Sequence, residues 1–360
     1  MIDLRIPVDP LPISEPLVLR LQERHAKSEH DAILIEMGDD YREYDYQGFS
    51  LTVRAPASAD LEGDVLLLLP GKTSAHRLIR ANSPHNTFLL TEQCDQLCMM
   101  CSQPPKKHHT DLFDQFAIAA SLAPAGAYLG LSGGEPLLHK VRLFEFLSIM
   151  ASTRPDLRFH VLTNGQHFND EDRGWLSEIG HDRVLWGIPL YAPEQGLHDQ
   201  IVGKHGAFER LETSFSILAK AGSAIELRTV VMAQNNSTLP ALSDHVSFKL
   251  PFIRHWALMQ LENIGYGRMN WDKCFIDTSA DFHHLAAALS RAIARGIEVS
   301  LFNFPLCTLP ENFRHLAPST ISDWKRKYLP KCDGCDLIST CGGFFEWYIP
   351  EKGFARVGAP

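Results

Sequence analysis

Basic clusters of the kind that phosphate-backbone binding needs are missing from this 360-residue chain. Its 34 Lys and Arg stand scattered against 43 Asp and Glu, a formal charge of −9 at pH 7, so nucleic acid is not an expected partner. No apolar run approaches the ~18 residues that cross a bilayer. The longest tidy one, Val65–Leu69, reads as a buried strand, and no membrane role is expected. The opening Met1-Ile2-Asp3-Leu4-Arg5 lacks a cationic segment followed by an apolar one, which argues against export and for a cytoplasmic protein. There is no repeat period and no low-complexity tract. The 17 histidines form no H-E-x-x-H or similar ligand array. Leu68-Leu-Pro-Gly-Lys-Thr-Ser74 falls short of a P-loop because Leu66 occupies the first glycine position, so ATP binding is not expected.

What is present is an ordinary globular composition, 45% hydrophobic and 21% charged. Residues 1–84 carry short apolar pieces (Ala32–Met37, Phe49–Val53, Val65–Leu69) and one helical stretch near Leu17–Ala26, and read as a small, mainly β unit of unassigned role. From residue 85 to 300 apolar strands alternate with amphipathic segments, the pattern of βα units around a parallel sheet. Strands are expected at Thr87–Leu90, Ala127–Leu131, Arg158–Leu162, Val184–Pro189, Glu226–Val231 and Arg254–Gln260. Helices are expected at Leu112–Leu122, Val141–Ser152, Phe208–Ala221 and Phe282–Ala294. Six units suit an α/β fold built as a partial (β/α)6 TIM-like barrel, whose chemistry sits at the carboxyl ends of the strands; a doubly wound open sheet also fits. Residues 301–360 lose the pattern and read as a loop-rich extension organised by metal.

Reducing surroundings make clustered cysteines metal ligands or catalysts rather than disulfides. Seven of the eight fall in two groups, and Cys274 stands apart as a packed thiol. Cys94, Cys98 and Cys101 follow the first barrel strand directly. Three thiolates hold three irons of a cubane cluster and leave the fourth open to a small molecule. The alternative is a zinc loop, which usually shows paired C-x2-C arms and a fourth ligand. Gly133-Gly134-Glu135-Pro136 stands just after the second strand, where glycines let a backbone approach a ligand closely or simply make a turn. In the second group Cys332, Cys335 and Cys341 lie in a tight run, and Cys307 offers a fourth ligand upstream. Four ligands would close a cluster; a four-cysteine zinc site is the alternative there.

The C-x3-C-x2-C spacing of Cys94, Cys98 and Cys101, with Gly133-Gly134-Glu135-Pro136 one βα unit later, resembles the radical S-adenosylmethionine (SAM) superfamily. The resemblance implies an open [4Fe–4S] cluster that chelates SAM and reductively cleaves it to a 5′-deoxyadenosyl radical. It also implies that Gly133, Gly134, Glu135 and Pro136 hold the SAM amino group. Met100 would stand where the family often has an aromatic residue, Asn164 and Tyr191 near the ribose, and Arg228 near the SAM carboxylate. A plain turn at Asn164 and a structural carboxylate partner for Arg228 are the alternatives.

The run C-x2-C-x5-C resembles the SPASM extension of peptide-modifying members. Phe345 replaces a further cysteine and Phe302 the usual glycine before Cys307, so one auxiliary [4Fe–4S] cluster is expected. Three stretches, Cys-Met-Met-Cys-Ser-Gln-Pro-Pro105, Leu-His-Asp-Gln-Ile-Val-Gly203 and Cys-Gly-Gly-Phe-Phe345, resemble the His-Xaa-Ser system maturases. That likeness implies a ribosomally made precursor peptide as substrate, a low-potential electron donor such as flavodoxin or ferredoxin, and partner maturation proteins. A radical SAM enzyme acting on a small metabolite or folded protein, or a metal-stabilised binding module without catalysis, are the rival readings.

Overall fold

The computed structural model describes residues 4–358. Among them, seven strands make the amino-terminal sheet: β1 (Arg5–Pro7), β2 (Leu17–Gln22), β3 (Asp31–Met37), β4 (Tyr41–Tyr46), β5 (Phe49–Arg54), β6 (Val65–Leu68) and β7 (Ser74–Ile79). Their order is β1-β7-β6-β2-β3-β4-β5, and an antiparallel bridge from Val8 to Val53 ties the first edge back to the last. Leu19, Leu21, Leu51, Val53 and Leu66 fill the centre and are inaccessible to solvent.

The helix expected near Leu17–Ala26 is not there, since Leu17–Gln22 is a strand, antiparallel to β6 and parallel to β3. Leu19 and Leu21 enter the core from one face, and Val18 and Gln22 are buried on the other, so the strand is covered on both sides. Arg20, between them, forms a bidentate pair with Asp31, Nε to Oδ1 at 2.8 Å and Nη2 to Oδ2 at 3.0 Å.

The second sheet contains β8 (Asn86–Thr91), β9 (Tyr128–Gly133), β10 (Arg158–Leu162), β11 (Val184–Pro189), β12 (Ala224–Val231), β13 (His255–Gln260) and β14 (Val299–Phe302), each beside its neighbour in sequence. The three pairs from β11 to β14 run parallel. This is the α/β, partial TIM-like architecture expected, with one correction in number: β14 is a strand beyond the six. It spans only Val-Ser-Leu-Phe and adjoins the stretch where periodicity ends. Helices Phe113–Ser121, Lys140–Thr153, Ala207–Lys220 and His283–Ala294 match the expected ones to within a residue at each end.

In the unit containing β11–β14, register places Trp186, Ile188, Leu227, Thr229, Trp256, Leu258 and Leu301 on one fully buried face. The opposite face, with Arg228, His255, Met259, Ser300 and Phe302, is only half-buried. Beyond β14 the chain proceeds by single 3-10 turns and the two-residue strands Arg326–Lys327 and Phe344–Phe345. No helix among the described residues is long and apolar enough to cross a membrane.

Candidate cluster site

Why the cysteine loop takes its shape begins with a neighbouring helix. Helix Gln195–Val202 starts on Glu194, whose carboxylate accepts the N–H groups of Gly196 (2.7 Å) and Leu197 (3.0 Å). It stops at Gly203, which adopts φ 64°. A helix end leaves carbonyls without intrahelical donors, and here the cysteine loop supplies them. Leu97 N–H donates to Val202 O at 3.1 Å and Met99 N–H to Ile201 O at 3.0 Å. A side chain at Gly203 would strike Leu97 O at 2.8 Å. The stretch Leu-His-Asp-Gln-Ile-Val-Gly203 is thus the shelf on which the loop lies. From the other side, Tyr266 N–H donates to Cys101 O at 2.8 Å and Asn270 Nδ2 to Met99 O at 2.9 Å.

All three thiols are half-buried. Burial pushes Cys94 up to about 11 against the opposing Gln96 N–H, and pushes up Cys98, where the charges of Cys101 and Cys94 add to it, and Cys101. The Cys98 thiol donates to Gln96 Oε1 at 3.3 Å and the Cys101 thiol to Gln103 O at 2.9 Å. Metal ligation requires loss of these protons. Met100, 7% exposed, packs with Tyr191, Ile201, Val202, Leu261, Trp271 and Cys274 in an apolar cluster bordered by Cys98 and Met99. Cys274 is fully buried there.

The glycine segment meets the same loop. Gly134 N–H donates to Thr91 O at 2.8 Å and Glu135 N–H to Gln93 O at 2.7 Å. A Cβ on Gly133 would lie 2.1 Å from Thr91 O, and one on Gly134 2.1 Å from Gln93 O. The glycines are therefore required by the approach of the cysteine loop itself. Pro136 begins the 3-10 turn Pro136–His139 and is buried.

Glu135 is wholly buried and binds inward. Its Oε1 accepts from Thr163 Oγ1 (2.6 Å) and Leu137 N–H (2.8 Å), and its Oε2 from Asn164 N–H. Burial raises its proton affinity, opposed by these three donors.

Asn164 does not stand open. Its Nδ2 donates to Asp95 Oδ1 at 2.8 Å and its Oδ1 accepts Gln166 N–H at 3.1 Å. Asp95 also pairs with Lys204 and, at 3.0 Å, with His167 Nε2. Burial works against its charge, yet His167 and Lys204 overcome this and hold the carboxyl far below the usual range. Sequence reasoning missed Asp95, His167, Lys204 and Gln96. The one signal available was that Asp95 and Gln96 stand between ligand cysteines.

Tyr191 is buried beside His198, with ring centroids 5.7 Å apart, and burial together with the charge on Cys98 raises its hydroxyl's proton affinity. Burial lowers His198 to about 4. Arg228 pairs through Nη1 with Glu226, two residues back on the same face of β12. The carboxylate partner anticipated as its alternative is therefore present in the chain. His255 bridges Glu226 (3.6 Å) and Ser300 Oγ (2.9 Å) on that face.

The later cysteines also converge. Cys307, Cys332, Cys335 and Cys341 line one open recess, with Leu306, Leu337, Ile338 and Phe344 among its apolar walls. The Cys341 sulfur accepts the N–H groups of Leu306 and Gly343, each at 3.4 Å. Burial raises the Cys307 thiol, helped by the charges of Cys341 and Cys332.

Among the described residues no three His, Cys, Asp or Glu side chains close on a single-ion position. Thiolates of a cubane each meet a different iron, so a donor set of soft thiols spread around a loop or recess fits such a group.

The structure brings the three-thiol loop after β8 and the Gly-Gly-Glu-Pro turn after β9 together, the two stretches in which the sequence resembles the radical SAM enzymes. No family model matches the chain. The AdoMet-dependent heme synthase of Methanosarcina barkeri is 26% identical over 253 residues, 64% of this chain and 69% of that protein. The antilisterial bacteriocin subtilosin biosynthesis protein AlbA of Bacillus subtilis is 22% identical over 218 residues, 58% of this chain and 46% of AlbA. In fold the chain is similar to Streptococcus suis SuiB, solved bound to S-adenosylmethionine (TM-score 0.51, 12% identity). That match covers 61% of this chain and 51% of SuiB. The chain thus spans about half the length of AlbA and of SuiB.

Proposed function

We propose that this radical SAM chain matures a ribosomally made precursor peptide by a carbon-centred modification or cross-link. The observation that carries the reading is the placement of thiols: three on one loop at a strand end, and four lining a single recess in the carboxyl-terminal segment. The first set suits a [4Fe–4S] cluster with an open corner, held by Cys94, Cys98 and Cys101. The second suits a closed auxiliary cluster held by Cys307, Cys332, Cys335 and Cys341. With SAM on the open corner and an electron from a flavodoxin or ferredoxin, the first cluster would supply a 5′-deoxyadenosyl radical able to take hydrogen from carbon.

The chain's own residues do the holding. Glu135 and Asp95 lock the strand ends around the cysteine loop, and the cluster of Met100, Tyr191 and Trp271 keeps water from one side of the thiols. Gly133 to Pro136 lie against that loop, and the reading assigns this segment to the SAM amino group. Arg228, though paired with Glu226, stands on the half-buried face where a carboxylate could share it.

A peptide substrate is supported by AlbA, a bacteriocin biosynthesis protein, and by SuiB, which has been solved with its precursor peptide SuiA. The heme synthase favours a second reading, a small-molecule substrate. Anaerobic reconstitution should give about eight irons per chain. The triple change Cys94→Ala, Cys98→Ala, Cys101→Ala should remove about half of that iron and all SAM cleavage. Cleavage surviving the triple change overturns the proposal, and a mass change in a tetrapyrrole but in no short peptide encoded beside the gene replaces the peptide by a small molecule.

A further inference from the structure

Gln96 stands between two of the three cysteines and touches the second. Its side-chain Oε1 accepts the Cys98 thiol proton at 3.3 Å. The residue is 3% exposed, and its Nε2 is buried with no hydrogen-bond partner. A buried amide whose donor end is unused is unfavourable, and each such group in a folded protein calls for an explanation.

Iron ligation supplies one. A metal-bound cysteine has lost its proton, so the Cys98 sulfur changes from donor to acceptor and the carbonyl oxygen facing it becomes repulsive. The last side-chain torsion of glutamine is a broad two-fold rotor. A half-turn exchanges Oε1 for Nε2 in place, without moving the loop, and turns the unused N–H onto the sulfur.

We propose that the Gln96 side chain donates an N–H···S hydrogen bond to Cys98 once that cysteine is an iron ligand, and thereby sets the reduction potential of the open cluster. The inference rests on the cluster reading given above. Hydrogen bonds to cluster sulfurs stabilise the more negative, reduced state and raise its potential. Gln96 is accordingly a positioning and tuning residue that lets a biological donor reduce the cluster.

Gln96→Leu removes the side-chain donor, keeps the backbone N–H and roughly keeps the volume. The readout is an EPR-monitored redox titration of reconstituted protein without SAM, with the signal of the Cys94→Ala, Cys98→Ala, Cys101→Ala variant subtracted to remove the second site. At a fixed ambient potential the ratio of reduced to oxidised cluster should fall about tenfold, a midpoint ~59 mV more negative for one electron. In the wild type, glutamine carrying amide ¹⁵N should give a nitrogen coupling to the reduced cluster that the variant lacks. An unmoved midpoint in a variant with full iron overturns the role of Gln96. If the variant fails to take up iron, the wild-type spectrum decides, and no glutamine-amide coupling overturns it. A wild-type protein with no iron on the three-cysteine loop refutes the cluster reading itself, and the inference with it.

Discussion

Gly134→Ala tests how tightly the cysteine loop and the Gly133–Pro136 segment are joined. The new Cβ would fall 2.1 Å from Gln93 O, 2.6 Å from its carbonyl carbon and 3.1 Å from Cys94 Cβ. Two of these are backbone atoms, which cannot swing aside as a side chain would. Restoring ordinary contact requires the segments to part by more than an ångström. The 2.7 Å bond from Glu135 N–H to Gln93 O would then be lost. Overpacking costs ~1–3 kcal/mol and a buried hydrogen bond about 1 more, so a loss of ~2–4 kcal/mol is expected. In a protein of this size that corresponds to a melting point lower by ~3–5 °C. Because the displaced atoms belong to Gln93 and Cys94, iron uptake at the first site should fall as well. Gly174→Ala is the control. Its added Cβ meets nothing within 4 Å and it lies inside helix Arg173–Ile179, so the change should be neutral or stabilising by up to ~1 kcal/mol. A Gly134→Ala protein that melts with the wild type and takes up full iron would refute the reasoning.

Asp31→Asn should cost ~2–3 kcal/mol at pH 7, since it breaks a buried pair with Arg20 and leaves the guanidinium without its partner. Although burial opposes its charge, Arg20 and the N–H groups of Lys27 and Ser28 hold the Asp31 carboxyl below its ordinary value. The folded state therefore binds this proton less readily than the unfolded chain. The stabilisation is complete above the unfolded value near ~3.9 and fades as pH falls through the folded one. Urea titrations should show the gap between variant and wild type closing below about pH 4; a pH-independent gap would mean the pair contributes nothing. Asp95→Asn should weaken the tie of the cysteine loop to Asn164, Lys204 and His167 and speed chelator-driven iron release several-fold. An unchanged release rate would show that Asp95 is incidental. Cys332→Ala should leave uncoupled SAM cleavage largely intact while peptide conversion is lost, checked at matched iron in the first site. Conversion at the normal rate would make the second group scaffolding.

Much of this fold is readable from the chain because β8 to β13 are apolar runs punctuated by amphipathic helices, and such periodicity reflects burial directly. Leu17–Gln22 misleads for a physical reason. Its apolar residues are too few to separate a 3.6 from a 2.0 period, and pairing with β6 and β3, distant in sequence, decides the matter. Tyr41–Tyr46 is a strand whose three tyrosines favour it but whose alternating Arg, Glu and Asp leave no apolar run to mark it. At the site, thiol spacing is legible because each ligand must be a cysteine. The polar ring around Asp95 is not, because Asn164, His167 and Lys204 lie 69 to 109 residues from it in sequence. Glycine was legible as a marker but not in its cause. The sequence suggests room for a ligand, whereas in the structure Gly133 and Gly134 make room for the backbone at Thr91 and Gln93.

These contacts give the two thiol groups different dependences on metal. The loop carrying Cys94, Cys98 and Cys101 is fastened by bonds that use no sulfur: Leu97 and Met99 to a helix end, Cys101 O to Tyr266, Thr91 and Gln93 to the glycine segment, and Asp95 to three partners. Each would persist with the thiols protonated, so the loop is shaped before any iron arrives. Such preformed geometry suits a site that must hold one corner open. The segment carrying Cys332, Cys335 and Cys341 has only 3-10 turns, two short strands and a small apolar cluster of Leu329, Phe344, Tyr348 and Phe354 to order it. Its polar fastening includes sulfur itself, through the Leu306 and Gly343 N–H groups on Cys341. A segment with so little buried apolar area must draw more of its folding free energy from whatever the four cysteines bind. On the proposed reading, metal at the second site would shape the protein, whereas at the first the protein shapes the place for the metal.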